Sequence, residues 1–217
     1  MVILGRRKTV LLKKALVCVS WFLLIQMSFS QVPPPVQEKM SVVDDHLIED
    51  PSPGVRIGKL RVLLGSTKIG NVGIELRNVV TTHERTGYGG FSWLCFTVFD
   101  GQSAERVWME SDDEMGGPDK LVTGVYTTLL ARGAKQTPHC PAVPENKASV
   151  YFDNGIKLGS SAEDLKRAFG SAPSSRDGWW RYMNDDSHGD HANLGEFDVE
   201  LRNGFVVSIQ ATYLETT

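Results

Sequence analysis

The side chains with the richest chemistry lie together at Asp185-Asp186-Ser187-His188-Gly189-Asp190-His191, with Glu196 just beyond. Imidazole and carboxylate suit zinc and similar divalent cations, and a set of two histidines with a carboxylate could hold one ion with a position open. His188, His191, Asp186 and Asp190 are the candidate ligands of such a site. The His-Glu-x-x-His spacing of zinc hydrolases is absent, and charged residues also gather between strands simply to be solvated, which is the preferred reading. Asp112, Asp113 and Glu114 lack the alternation of a calcium loop and read as an acidic turn. No Gly-x-Ser-x-Gly announces an activated serine. Gly87-Tyr88-Gly89-Gly90 precedes a strand and lacks a following Lys-Ser/Thr, so it is no phosphate cradle. These patterns point to a non-enzymatic protein without a cofactor, with metal binding at Asp185–His191 as the alternative.

Thiol chemistry is weaker still. Cys18 sits inside an N-terminal apolar run and does not look like a lipid acceptor, which leaves Cys95 and Cys140. No Cys-x-x-Cys spacing and no basic cluster activates either one. An isolated pair in an oxidising compartment forms a structural bridge, and closing this loop is worth about 4 kcal/mol in the chain-entropy treatment.

The aromatic residues are the remaining lead. Trp93, Trp108, Trp179, Trp180 and Tyr182 all fall on predicted strands. Adjacent Trp179 and Trp180 must point to opposite faces, so a helix layer can bury one of them and the other stands on the far side. Tryptophan and tyrosine on such a face favour a partner protein. The competing expectation is that the two halves of the chain pack together and hide them.

The elements that position these residues follow a leader. Residues 1–30 carry a basic start (Arg6, Arg7, Lys8, Lys13, Lys14), an apolar run from Ala15 to Phe29, and small residues at Ser28 and Ser30 for cleavage before Gln31. The run is shorter than the roughly 20 residues of a membrane span, so a signal peptide is expected, with an uncleaved inner-membrane anchor as the alternative. Both place the body outside the cytoplasm, periplasmic or secreted. Five of the 23 basic side chains and none of the 26 acidic ones lie in the leader, so the remainder carries 18 against 26, a net charge of −8. An acidic body without a basic stripe argues against nucleic acid, and against membrane contact other than through the leader.

Residues 31–54, with Pro33-Pro34-Pro35 and several acids, read as a Pro-rich acidic linker. Residues 55–132 read as a first α+β unit: a short helix over Gly70–Leu76, then strands at Phe91–Phe99, Glu105–Glu110 and Lys120–Leu130. Residues 133–149 are a connector with Pro138, Pro141 and Pro144, and residues 150–217 form a second unit. There Ser160 and Glu163 read as a capping box, Leu165, Ala168 and Phe169 as one apolar stripe, and Gly170 as the helix stop. Strands follow at 178–183, 196–202 and 205–213. Around Asn203-Gly204, keeping apolar residues on one face requires a three-residue loop that pairs Leu201 with Phe205, Val199 with Val207 and Phe197 with Ile209.

The two units share an order of signals. Leu64-Gly65-Ser66-Thr67 matches Leu158-Gly159-Ser160-Ser161, and Val122 matches Val206. This order of Leu-Gly-x-Ser/Thr start, short helix closed by Gly, aromatic strand and Asn-Gly hairpin resembles the SmpA/BamE module. Two in tandem resemble the β-lactamase inhibitory protein fold. The resemblance implies an α+β chain of two tandem helix-plus-three-stranded antiparallel modules, each two-layered. It also implies a non-enzymatic protein that binds an envelope or secreted partner.

Overall fold

Alternation of apolar and polar residues over long stretches dictates strands, and in the computed structural model strands dominate. The structure describes residues 46–47, 54–78, 81–84, 90–100, 103–113, 119–143, 150–170, 178–188 and 191–216. The chain divides into two units, Met1–Ser30 and Gln31–Thr217, and every described residue belongs to the second. The expected leader and nearly all of the expected Pro-rich linker lie outside the described residues. No helix among those described is long and apolar enough to cross a membrane.

In chain order the elements are β1 (His46–Leu47), β2 (Val55–Ile57), β3 (Leu60–Val62), α1 (Ile69–Leu76), β4 (Thr81–Glu84), β5 (Gly90–Asp100), β6 (Ser103–Asp113) and β7 (Gly124–Leu129). Then come β8 (Val150–Phe152), α2 (Ala162–Phe169), β9 (Trp179–His188), β10 (His191–Arg202) and β11 (Phe205–Thr216). One sheet runs β1-β9-β10-β11-β7-β6-β5-β4, antiparallel except for the β1–β9 pair, and a smaller one runs β3-β2-β8.

The expected fold of two tandem helix-plus-three-stranded modules is therefore corrected. The chain is mostly β, and its two three-stranded meanders, β5-β6-β7 and β9-β10-β11, fuse edge to edge where β7 pairs with β11. Length explains why. Each helix has eight residues and is about 12 Å long, whereas the 12-residue β10 runs about 40 Å. Neither helix can cover its meander alone, so both share one layer with the small sheet and one continuous core. That core takes Val55, Ile57 and Phe152 from the small sheet, Val72 and Leu165 from the helices, and Phe96, Val107, Phe197 and Ile209 from the large sheet. Phe169 of α2 sits 4.5 Å from the Tyr182 ring and 5.3 Å from Phe197, and Phe152 meets Phe197 edge-on at 5.2 Å.

The recurrence of signals does have a structural counterpart. The Gly65 N–H donates to the Val122 carbonyl at 2.8 Å and the Val122 N–H to Thr67 at 2.8 Å; Gly159 donates to Val206 at 2.8 Å and Val206 to Ser160 at 2.9 Å. In both places the turn before the helix is tied to the opening of the meander's last strand. Gly65 has a positive φ, and a Cβ there would lie 2.4 Å from the Tyr213 ring, so this turn also abuts β11.

Two local expectations are corrected, the cap by one residue and the hairpin pairing by up to two. The N-cap of α2 is Ser161, not Ser160, and its box partner is Asp164, not Glu163: the Asp164 N–H donates to Ser161 Oγ at 3.2 Å and the Ser161 N–H to Asp164 Oδ2 at 2.9 Å. The shorter aspartate closes this box, while Ser160 Oγ accepts from the Lys157 N–H at 3.1 Å. In the β10–β11 hairpin, Arg202 pairs with Phe205 across a two-residue turn whose Asn203 and Gly204 both have positive φ. A β-bulge then shifts the register, so that Val199 faces Ile209 and Phe197 faces Ala211. The favoured two-residue turn and the correct burial are both satisfied because one extra residue enters β11.

Candidate partner-binding face

Alternation along β9 sorts the side chains that the sequence singled out. Tyr182 is fully buried against Phe169, and Trp180 packs on the main core, so both point to the helix side. Burial pushes the Tyr182 phenol well above its ordinary range. Trp179 and Arg181 therefore point to the far side. Trp179 is half-buried there.

Trp93 and Trp108 also lie on the far side, but each is only 5% exposed. They form a small core with Cys95 and Cys140, against which Phe91 and Tyr126 pack. The Cys95–Cys140 disulfide is present. It holds the connector against β5, where the Thr97 N–H donates to the Pro141 carbonyl at 2.8 Å, Val143 donates to the Thr97 carbonyl at 3.0 Å, and Thr97 Oγ1 donates to the Cys140 carbonyl at 2.8 Å. Burial thus removes Trp93, Trp108 and Tyr182 from any exposed surface.

The far side of β9, β10, β11 and β7 carries a polar ladder instead. Asp198 is 2% exposed and accepts two hydrogen bonds from Arg181, Nε to Oδ1 and Nη2 to Oδ2, both 2.9 Å. One register step along, Arg202 Nε donates to Glu200 Oε1 at 2.7 Å, Ser208 Oγ donates to Glu200 Oε2 at 3.0 Å, and Ser208 Oγ lies 3.0 Å from Thr128 Oγ1. The last contact crosses the β7–β11 seam. Trp179 stands opposite Glu200 in the β9–β10 register, at the end of this row. The sequence reading passed over these groups. Their signal was present in Asp198, Glu200 and Arg202, which alternate with Phe197, Val199 and Leu201.

A second polar cluster closes the small sheet. Arg56 Nε donates to Asp153 Oδ1 and Arg61 Nε to Asp153 Oδ2, both at 2.8 Å, which joins β2, β3 and the turn after β8. Partial burial opposes ionisation of Asp153, but the Arg56 and Arg61 bonds outweigh it and hold the carboxyl below its ordinary range.

The metal candidates are only partly placed. The backbones of His188 and His191 are register partners in the β9–β10 pair, and Asp186 pairs with Asn193. Asp190 and the side chains of 185–193 lie outside the described residues. Among the described residues, no group of histidine, cysteine and carboxylate gathers around a common point.

Comparison with protein-family models, curated proteins and solved structures finds no match to this chain. The resemblance to SmpA/BamE modules accordingly rests on the sequence motifs alone.

Proposed function

We propose that the chain is an exported, non-enzymatic interaction module that binds a protein partner in the envelope or extracellular space through the far face of its large sheet. The observation that carries this reading is the direction of Trp179. Its neighbour Trp180, itself half-buried, packs against the main core, while Trp179 stands half-buried on the opposite face beside a cross-strand polar ladder. Large aromatic side chains ringed by ordered polar groups are what interaction hot spots are made of. The ladder fixes Arg181, Asp198, Glu200 and Ser208 before a partner arrives, which lowers the ordering cost of association. The buried Cys95–Cys140 bridge supports an oxidising compartment. A leader ending before Gln31, or kept as an anchor, supplies the route.

A photo-crosslinking residue at position 179 of the full chain, in cells that export it, tests this. The expected outcome is one discrete adduct, absent when the crosslinker replaces Ile74, which is 77% exposed on α1. With that partner in hand, Trp179→Ala should weaken capture by about 2 kcal/mol and change stability by less than about 0.5 kcal/mol. Equal labelling from positions 179 and 74 would overturn the assignment of the face.

A further inference from the structure

The far face of the large sheet carries an arginine whose charge finds no partner among the described residues. Arg106 of β6 stands on the same side as Trp108, two residues further along, and its register neighbours are Thr97 on β5 and Thr128 on β7. Both threonine hydroxyls are engaged elsewhere: Thr97 Oγ1 donates to the Cys140 carbonyl, and Thr128 Oγ1 lies 3.0 Å from Ser208 Oγ. Glu200, the nearest carboxylate in the same register row, is three strands away. Arg181 and Arg202, on this same face, are each bonded to a carboxylate. Arg106 has neither hydrogen bond nor ion pair among the described residues, and its Nε is buried without an acceptor.

Leaving a charged donor buried and unmet costs free energy, and an anion brought by another molecule removes that cost. Arg106 is half-buried rather than sealed, so the group stays open to a ligand. Its row continues through Thr128, Ser208 and Glu200 to Trp179, four strands and about 19 Å away, a span that about six extended residues cover. Gln210, the register partner of Tyr126 on the same face, has a buried Oε1 that accepts nothing, so the floor also offers a backbone N–H a place to donate. We infer that Arg106 is the docking point for a carboxylate of the protein partner, an acidic side chain or a chain terminus. The inference rests on the reading of this face as a protein-binding surface and names the partner's chemistry. A phosphate would bring more negative charge to a face that already holds Asp198 and Glu200, so the singly charged carboxylate is the better match.

The test follows the Arg106 Nε–H signal of the folded full chain by NMR. The probes are a six-residue glycine-serine peptide ending in aspartate amide, the same peptide ending in asparagine amide, and inorganic phosphate. A saturable shift with the aspartate peptide is expected, and the asparagine peptide should bind at least about tenfold more weakly because the charge-assisted pair is lost. Followed at the Thr128 backbone amide, Arg106→Gln should weaken the aspartate peptide by about tenfold. Arg167→Gln, on α2 at the other side of the sheet, should leave it unchanged. Equal binding of the two peptides, no saturable shift, or tighter binding of phosphate overturns the inference. So does a crosslinked adduct at position 179 whose yield Arg106→Gln leaves unchanged, and that outcome spares the Trp179 reading. Aspartate-dependent binding at Arg106 without an adduct at position 179 supports the carboxylate site and strikes the Trp179 reading instead.

Discussion

The far face of the large sheet has two halves made from the same kind of strand, and they end in opposite states. Over β5–β7, tryptophans are sealed beneath the connector by a disulfide, and the half has become a second core. Over β9–β11, a half-buried tryptophan stands next to salt-linked strands. An aromatic residue on a strand therefore says little about binding until its cover is known. Trp93 and Trp179 have similar sequence settings and different fates because Cys140 reaches one of them.

Four changes would break or sharpen that contrast. The largest effect is expected at the cover. Cys95→Ala/Cys140→Ala should cost about 4 kcal/mol, the loop-closure value for a bridge of this span. Denaturant unfolding measures the loss, and a red-shifted tryptophan emission would show Trp93 and Trp108 becoming wet. Unchanged stability would mean that the connector holds by its backbone bonds alone.

Next comes the ladder of the open half. Arg181→Ala leaves the carboxylate of Asp198 buried and without its main partner, at a cost of about 3 kcal/mol. Arg202→Ala, whose side chain is 70% exposed, should cost less than about 0.5 kcal/mol. Equal costs from thermal unfolding would show that the two rows of the ladder do not differ in burial.

The two helix starts differ as well. Ser161 closes a capping box, whereas the N-cap of α1, Lys68, makes no side-chain cap bond. Ser161→Ala should therefore cost about 1 kcal/mol, and Lys68→Ala should fall within the scatter of surface changes, as paired melting curves would show.

The smallest effect is expected from acid. Asp153 has a lowered folded-state pKa, so its contribution is present above the ordinary carboxylate pKa of about 4 and is lost as pH falls through the folded value. Asp153→Asn should accordingly flatten the acid limb of a stability-against-pH curve. An unchanged limb would show that the Arg56–Asp153–Arg61 contact contributes nothing measurable.

Much of the local structure was legible in the sequence, for physical reasons that also mark where legibility ended. The stripe of Leu165 and Phe169, the Cys95–Cys140 pairing and the opposed directions of Trp179 and Trp180 follow from short-range periodicity and from there being only two cysteines after residue 30. The cap was misplaced by one residue because Ser160 and Ser161 offer equivalent hydroxyls, and only the backbone path selects Ser161. The hairpin register was missed because a bulge leaves no mark in Phe205-Val206-Val207-Ser208; it is settled by burial of Val199 and Ile209 from the rest of the molecule. The fused sheet was missed because nothing in β7 or β11 states which foreign edge each will meet. Of the candidate site, Trp179 was visible, whereas the partners of Arg181 depended on that unseen pairing.

The seam between β7 and β11 also has a kinetic meaning. Asp100 and Ser103 pair across one hairpin and His188 and His191 across another, whereas Thr128 and Ser208 meet across 80 residues. Hairpins close within microseconds, and distant strands must wait for the chain between them to be organised. The two meanders therefore form as separate half-sheets, with the facing edges of β7 and β11 both bare, before the seam shuts. During that interval, the β11 edge of one molecule can meet the β7 edge of another with the same register and the same hydrogen bonds, so crowded refolding should yield strand-exchanged pairs of chains.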